Sequence, residues 1–580
     1  MAKFKTPGVY IKEISTLPAS VAAVATAIPG FVGYTQQQAA LDGETLDHNT
    51  PVRIESLLEF EQIFGGSFSE LFDISIANPA AGETNPQITA TANAPGLSPY
   101  LLYYQLTMFF ENGGGPCWVT SVGVYSSPDP TAANISESEL SDGLDACAQI
   151  DEITLLLVPE AILLDANGRQ NINDAMLSQC NKLQDRFAII DALTNPANTV
   201  FDDGNNFRAD VGSDNLKYGA AYYPSLKTTI KYDYTDANVA ITDTRTGVFF
   251  NGQNLGTLID NSMTATVATA IITVEDNTTA GGDIIVLDGV SFTISSAGNR
   301  GSKASNLQSQ INDAIIAGTL GDIVTVSRTS RVLTLTAKTI GVFGNSISLI
   351  YNATGTAGLI VAGFSGGNDN TDRLLYTLIK KKLEEFKLTL YPSGAMAGAY
   401  ARVDRDRGVW KAPANISLRL VDEPLKLVTD AQQESLNVDA DSGKSINVVR
   451  KFAKRGILVW GARTLAGNDN EWRYVPVRRL FIFIEESIEK ATEPSVFEPN
   501  DAQTWTKLKA MIENFLTKLW REGALAGAKP EDAFFVNVGL GKTMTAVDIL
   551  EGKLIIEVGI AAVRPAEFII LKFMHKMQES

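Results

Sequence analysis

Two glycine-rich motifs in this 580-residue chain carry residue types capable of chemistry. Gly363-Phe-Ser-Gly-Gly367 fits the G-x-S-x-G pattern, in which a serine on a tight strand-to-helix turn attacks a carbonyl. It follows the strand-like run Leu359–Ala362. A serine nucleophile needs a histidine to take its proton, and the chain holds only His48, in an acidic stretch ahead of the serine, and His575, close to the C-terminus. Gly539-Leu-Gly-Lys-Thr543 approaches a phosphate-binding loop, whose backbone N–H groups cradle phosphate while the lysine reaches it. The full pattern requires glycine where this chain has Val536. Gly113-Gly114-Gly115 reads as a helix stop. The carboxylate pairs Asp404/Asp406 and Glu485/Glu486 alternate with arginines or share a helix face, and are expected to be solvated ion pairs. Cys117, Cys147 and Cys180 lack Cys-x-x-Cys spacing, so neither a disulfide framework nor a zinc site is indicated. No catalytic residue, cofactor or metal site is assigned.

One helical surface has a direction. Ala502–Glu522 is the strongest helix pattern, with Asp501 as N-cap and Gly523 as its stop. At 100° per residue, Lys507, Asn514, Lys518 and Arg521 form one polar-basic stripe. Trp505, Leu508, Ile512, Phe515, Leu516 and Leu519 gather about 120° away as the face to be buried. Such a stripe faces water or a partner protein, and spacing alone leaves both open.

The elements that must position these residues alternate in the βαβ manner. Ile153–Val158 is a short, continuous apolar run, as a strand buried on both faces requires. Helical spacing over Asn171–Leu183 and strands at Arg186–Asp191 and Tyr218–Tyr223 follow it. Earlier, Ser56–Ile63 and Tyr100–Phe110 read as helices, Cys117–Val124 as a strand, and Asn78–Pro99 as a loop. Between 226 and 370 the composition shifts to Thr-rich alternating strands, interrupted by one helix at Ser305–Ala317. This stretch reads as an inserted, mostly β domain. After it the α/β pattern resumes, with helices at Asp372–Glu385 and Pro476–Lys490 and a strand at Ile457–Trp460. Both termini, Phe4–Ile14 and Glu567–Met577, are extended and partly apolar. A terminal strand of that kind is an aggregation hazard unless something pairs with it.

Bulk numbers narrow the function. A net charge of −18 disfavours nucleic acid, since a phosphate-tracking surface needs clustered Lys and Arg. The charge is uneven, −21 over residues 1–370 and +3 over 371–580. That distribution suits one highly solvated side and one side docked on an acidic partner as well as it suits uneven solvation alone. No apolar run reaches the roughly 18 residues of a membrane span, and Met1–Pro7 is polar with no apolar stretch behind it. The expectation is a protein made in the cytoplasm without a signal peptide, with no membrane partner.

Several segments together resemble one family. Thr6-Pro-Gly-Val-Tyr10, Ala27-Ile-Pro-Gly-Phe-Val-Gly-Tyr34 and Phe109-Phe-Glu-Asn-Gly-Gly114 look like the opening of contractile tail sheath proteins. The stretch from Pro392 to Asn415, with Trp460-Gly-Ala-Arg-Thr464, Phe497-Glu-Pro-Asn-Asp501 and Pro565-Ala-Glu-Phe-Ile569, continues the resemblance in family order. It covers the chain except for about 226–370, a departure that is similar to a β module of phage tail proteins. The opening and the chain length look closer to extracellular contractile injection systems than to average phage tails.

The resemblance implies a multidomain α/β protein. Its expected parts are an N-terminal arm with the first strands (1–40), an N-terminal α/β part (41–125) and a subtilisin-like α/β middle domain without a catalytic triad (126–225 plus 371–420). An inserted β-rich domain (226–370) and a C-terminal α/β domain ending in an arm strand (421–580) complete it. It implies a structural, non-enzymatic subunit that polymerises helically around an inner tube and contracts, within a phage tail or a released tail-like particle. The implied partners are further copies, the inner tube protein, and baseplate and terminal cap proteins. Val9, Tyr10, Ile11, Phe568, Ile569, Ile570 and Leu571 would form the inter-subunit arms. Lys507, Asn514, Lys518 and Arg521 are the candidates for contact with the tube. The competing readings are a serine hydrolase acting through Ser365 and a monomeric adhesin built on the β domain.

Overall fold

The computed structural model of the protein describes residues 21–39, 46–82, 85–92, 97–126, 131–245, 250–259, 266–275, 282–294, 298–353, 358–367 and 372–570. The chain divides into two compact units. One comprises Met1–Ser67, Pro99–Ile230 and Leu388–Ser580, the other Phe68–Ser98 and Lys231–Lys387.

The first unit is built on a nine-stranded sheet. Its order is Pro51–Ile54, Cys117–Val124, Pro29–Thr35, Leu155–Leu157, Phe187–Asp191, Gly219–Tyr223, Ile446–Phe452, Gly456–Val459 and Ile416–Ser417. The six strands from Cys117–Val124 to Ile446–Phe452 are parallel, and the outer strands are antiparallel to their neighbours. Leu155–Leu157 and Gly219–Tyr223 are buried along their whole length, which is why they read as continuous apolar runs.

This sheet runs across the expected divisions. Strands from the expected arm (29–35), the expected N-terminal part (51–54 and 117–124) and the expected C-terminal domain (446–459) all join those of 126–225. A parallel strand must find hydrogen-bond partners on both sides. Its neighbours can lie hundreds of residues away, where local periodicity reports nothing.

Ser393–Arg407 is a helix that was read only as a motif. Every residue from Ser393 to Tyr400 is buried. A Cβ on Gly394 would come within 2.4 Å of the Gln105 carbonyl oxygen, and one on Gly398 within 2.3 Å of that of Phe109. Glycine at these positions lets the helix pack against the backbone of Leu102–Glu111. Asp404 is not solvated as expected. Its carboxylate accepts from Arg479 Nη1 at 2.9 Å and Nη2 at 2.6 Å, and both side chains are buried. Glu486 is likewise buried, paired with Lys490. The Asp404–Arg479 bridge ties two helices together, whereas Glu486 and Lys490 lie one turn apart on a single helix; removing either partner of the first would strand a buried charge.

Two further carboxylates, the buried Glu160 and the half-buried Asp191, cap helices. Glu160 accepts from the backbone N–H groups of Leu101 at 2.9 Å and Leu102 at 2.7 Å, where Leu102–Glu111 begins. Asp191, ending its strand, accepts from the N–H of Ser393 at 2.8 Å. Burial pushes each carboxyl up to about 7, against the pull of those hydrogen bonds.

The second unit holds two cores. In one, Gln253–Asn254, Val239–Asp243, Phe72–Ala77 and Gln87–Ala92 form a sheet in that order, and Leu375, Ile379 and Leu383 of the Arg373–Leu383 helix cover Phe72, Ile74 and Ile76. The strand Gln87–Ala92 replaces part of the loop expected at Asn78–Pro99. Its Thr and Ala residues alternate and pair with Phe72–Ala77. The second core is a β module. One sheet runs Val324–Thr329, Val332–Ile340, Val267–Val274 and Leu359–Ser365; the other runs Val290–Thr293, Ile284–Leu287 and Leu349–Asn352. Leu307 and Ile311 of the helix Arg300–Ile316 complete it. The expected insert of 226–370 therefore contains this module, but residues 239–258 pack instead with 72–92.

Candidate functional site

The C-terminal part of the first unit carries the stripe helix. Ala502–Arg521 starts at Asp501, whose Oδ1 accepts from the N–H groups of Gln503 at 3.0 Å and Thr504 at 2.9 Å. Leu508, Met511, Ile512, Phe515, Leu516 and Leu519 are buried against Leu480, Phe483 and Ile484 of the Val475–Thr492 helix. Trp505 is only half-buried, with its Nε1 donating to Asn500 Oδ1 at 2.6 Å. Lys507, Asn514, Lys518 and Arg521 are all exposed. Among the described residues no ion pair holds Lys507, Lys518 or Arg521. Lys518 and Arg521 also sit in the last turn, where the helix dipole favours cations.

Beside this helix lies a two-stranded antiparallel sheet, Phe534–Val538 with Ile556–Ile560. Val536 and Val538 are buried, and Val536 joins the core beneath the helix. Among the described residues no third strand pairs with either edge. An isolated two-stranded sheet is marginal in water, and its free edges are unpaired donors and acceptors.

The chain then runs to Glu567. Arg463 Nε donates to Glu567 Oε1 at 2.9 Å and Arg463 Nη2 to Oε2 at 2.6 Å. Asn437 Nδ2 donates to Oε1 at 2.8 Å and the Tyr474 hydroxyl to Oε2 at 3.1 Å. Burial acts to raise the Glu567 carboxyl, but the hydrogen bonds from Arg463 and Asn437 and the Arg463 charge outweigh it and hold it below the ordinary value. Sequence reasoning quoted Arg463 and Glu567 in separate motifs and missed that they meet. Beyond them Phe568, Ile569 and Ile570 are 69%, 78% and 80% exposed and belong to no strand. Val9, Tyr10, Ile11 and Leu571 lie outside the described residues.

The two motifs with chemical promise are used otherwise. Ser365 ends a sheet strand, in register with Thr269, rather than sitting on a strand-to-helix elbow. Gly367 beyond it exchanges two hydrogen bonds with the Asn345 side chain. In Gly539–Thr543 the N–H groups of Lys542 and Thr543 turn inward to the Gly539 carbonyl, and the Thr543 hydroxyl donates to the Ile555 carbonyl. No cradle for phosphate remains in these amides. Cys117, Cys147 and Cys180 are buried, free thiols. Among the described residues, no cluster of His, Cys, Asp or Glu could hold a metal ion, and no helix is long and apolar enough to cross a membrane.

Residues 467–575 match the phage tail sheath C-terminal domain, and the chain resembles contractile tail sheath proteins. It is 28% identical over 127 residues to the tail sheath protein of Vibrio phage KVP40, covering 22% of this chain and 19% of that protein. It is 31% identical over 142 residues to the tail sheath protein of Burkholderia phage BcepMu, covering 24% and 29%. The matches thus span less than a third of those proteins' lengths. Over its whole length the fold is similar to the anti-feeding prophage helical sheath in its contracted state. There the identity is 27% and the TM-score 0.51, with 99% of this chain and 100% of that one covered.

Proposed function

We infer that the protein is the sheath subunit of a phage tail or tail-like contractile injection particle, a structural component without enzymatic activity. Its similarity to a helical sheath over 99% of its length carries this reading. The subunit polymerises around an inner tube, attaches to a baseplate and a terminal cap, and contracts to drive the tube through a target envelope. The nine-stranded α/β layer is a subtilisin-like domain serving as scaffold, without a catalytic triad.

Assembly proceeds by strand exchange. The open edges of Phe534–Val538 and Ile556–Ile560 accept strands from neighbours. The segment from Phe568 to Leu571, and Val9, Tyr10 and Ile11 at the other end, supply them through main-chain hydrogen bonds. The stripe of Lys507, Asn514, Lys518 and Arg521 faces the tube. Contraction is a switch between two discrete packings of one lattice, with subunits moving largely as rigid bodies while the arms keep them joined.

The test is electron microscopy of the chain co-expressed with its tube protein. The reading expects tube-filled helical particles; a chain that stays monomeric under every assembly condition contradicts it.

A further inference from the structure

We propose that the Arg463–Glu567 pair, completed by Asn437 and Tyr474, is a clasp that sets the point and direction in which the C-terminal segment leaves its own subunit. It rests on the reading of that segment as a strand donated to a neighbour.

Among the described residues, Glu567 is the last one anchored by side-chain hydrogen bonds before the exposed Phe568–Ile570. Upstream, the Val563 N–H reaches the Ala524 carbonyl at 3.3 Å and Arg564 Nη1 reaches the Asn470 carbonyl at 2.9 Å. Downstream come the apolar, exposed Phe568, Ile569 and Ile570. Five hydrogen bonds converge on the one carboxylate between them, with Arg463 Nε shared between both oxygens. They come from three places in the fold. Asn437 ends the helix Asp430–Asn437, Arg463 follows the strand Gly456–Val459, and Tyr474 precedes the helix Val475–Thr492.

Arg463 is itself held by the central sheet. Its N–H donates to Asn447 Oδ1 at 2.8 Å, and Asn447 Nδ2 donates back to the Arg463 carbonyl at 2.8 Å and to that of Ala221 at 3.1 Å. Arg463 Nη1 also reaches the Gly467 carbonyl at 3.3 Å. The guanidinium is therefore preorganised on two strands of the sheet, and its bidentate fork fixes the carboxylate in orientation as well as place.

Such a root has a purpose in strand exchange. Register matters, because a slip of one residue turns every side chain to the opposite face. A segment fixed at its base searches less space and loses less entropy when it docks. The two sequence motifs Trp460-Gly-Ala-Arg-Thr464 and Pro565-Ala-Glu-Phe-Ile569 thereby become halves of one device.

The test places spin labels at Glu471→Cys and Ile569→Cys in the full chain, since the three native cysteines are buried. The distance distribution between them should be narrow with the native clasp. Glu567→Gln and Arg463→Met should broaden it, because loss of one partner of a largely buried pair raises the open population about 100-fold. Both should also lower assembly at least about 10-fold. Should either variant fail to fold, Tyr474→Phe and Asn437→Ala each remove one hydrogen bond and should give intermediate broadening. A folded Glu567→Gln protein with a native distribution and native assembly overturns the clasp. Truncation after Glu567 separates the two ideas. Normal assembly of the truncated chain overturns the donated strand, whereas failed truncation beside normal assembly of a folded Glu567→Gln overturns the clasp alone.

Discussion

The central sheet and the C-terminal sheet of the same unit answer one physical demand in opposite ways. In the first, six parallel strands lie between antiparallel edges, and Pro29–Thr35, Leu155–Leu157 and Gly219–Tyr223 are buried throughout. In the second, two strands of five residues stand alone with free edges. Backbone groups must be paired wherever water is excluded. The finished sheet meets that need within the chain; in the two-stranded one Ile556–Ile560 is half-buried or exposed, and on the proposed assembly its open edge is paired by added strands. On the proposed assembly, the contrast separates what folds the subunit from what joins subunits.

The largest expected effect comes from removing residues 568–580. Assembly should be lost altogether, while the circular dichroism spectrum and melting temperature of the subunit stay native. Assembly of normal sheaths by the truncated chain would break the comparison at its base.

Next are two deletions in the second unit. A short Gly/Ser linker replacing 266–367 removes only the β module. Its ends are adjacent, with the Thr266 hydroxyl donating to the Gly366 carbonyl at 2.6 Å, so the remainder should fold and assemble. The larger deletion of 228–366 also strips Val239 and Ile241 from Phe72, Ile74 and Ile76. Exposing such a core costs several kcal/mol at about 25 cal/mol per Å², and this variant should be insoluble or partly unfolded. Solubility and thermal melting distinguish the two.

Glu160 sharpens the account of the finished sheet. Its folded-state carboxyl is raised to about 7 from an ordinary value of 4.5. The folded chain therefore holds a proton that the unfolded chain releases across that window, and stability from it is full below the unfolded value and lost as pH rises toward 7. Glu160→Gln should flatten the decline between pH 5 and 8 by roughly 3 kcal/mol, read by urea denaturation. Asp191, also raised to about 7, keeps its share of the slope.

Smallest per subunit is the basic stripe. Exposed pairs are worth about 0–1 kcal/mol each, so Lys507→Glu, Lys518→Glu and Arg521→Glu together act through repetition along the lattice. The triple variant should lower the fraction of extended, tube-filled particles, and raised salt should weaken the native ones. Normal particle counts for the variant would remove the stripe from the tube contact.

The sequence carried the local elements well, for a physical reason. Cys117–Val124 and Ala502–Arg521 announce themselves through apolar period and caps within a few residues of their observed bounds. The stripe was legible because it is a property of one helix. Long-range pairings were not. Nothing local says that 72–77 pairs with 239–243, or that Ser393–Arg407, rich in Gly and Ala, is a buried helix and not a loop. Asp404, expected with Asp406 in solvated ion pairs, is instead buried against Arg479, because charge reports no depth. The meeting of Arg463 with Glu567 likewise spans 104 residues.

The central claim is that neighbours complete the C-terminal sheet, and amide hydrogen exchange tests it most directly. Comparing the free subunit with assembled sheath, the account predicts that the Ile556–Ile560 and Phe568–Ile570 amides become strongly protected on assembly, while those of Leu155–Leu157 are unchanged. Equal exchange of Ile556–Ile560 and Phe568–Ile570 in the two states would contradict it.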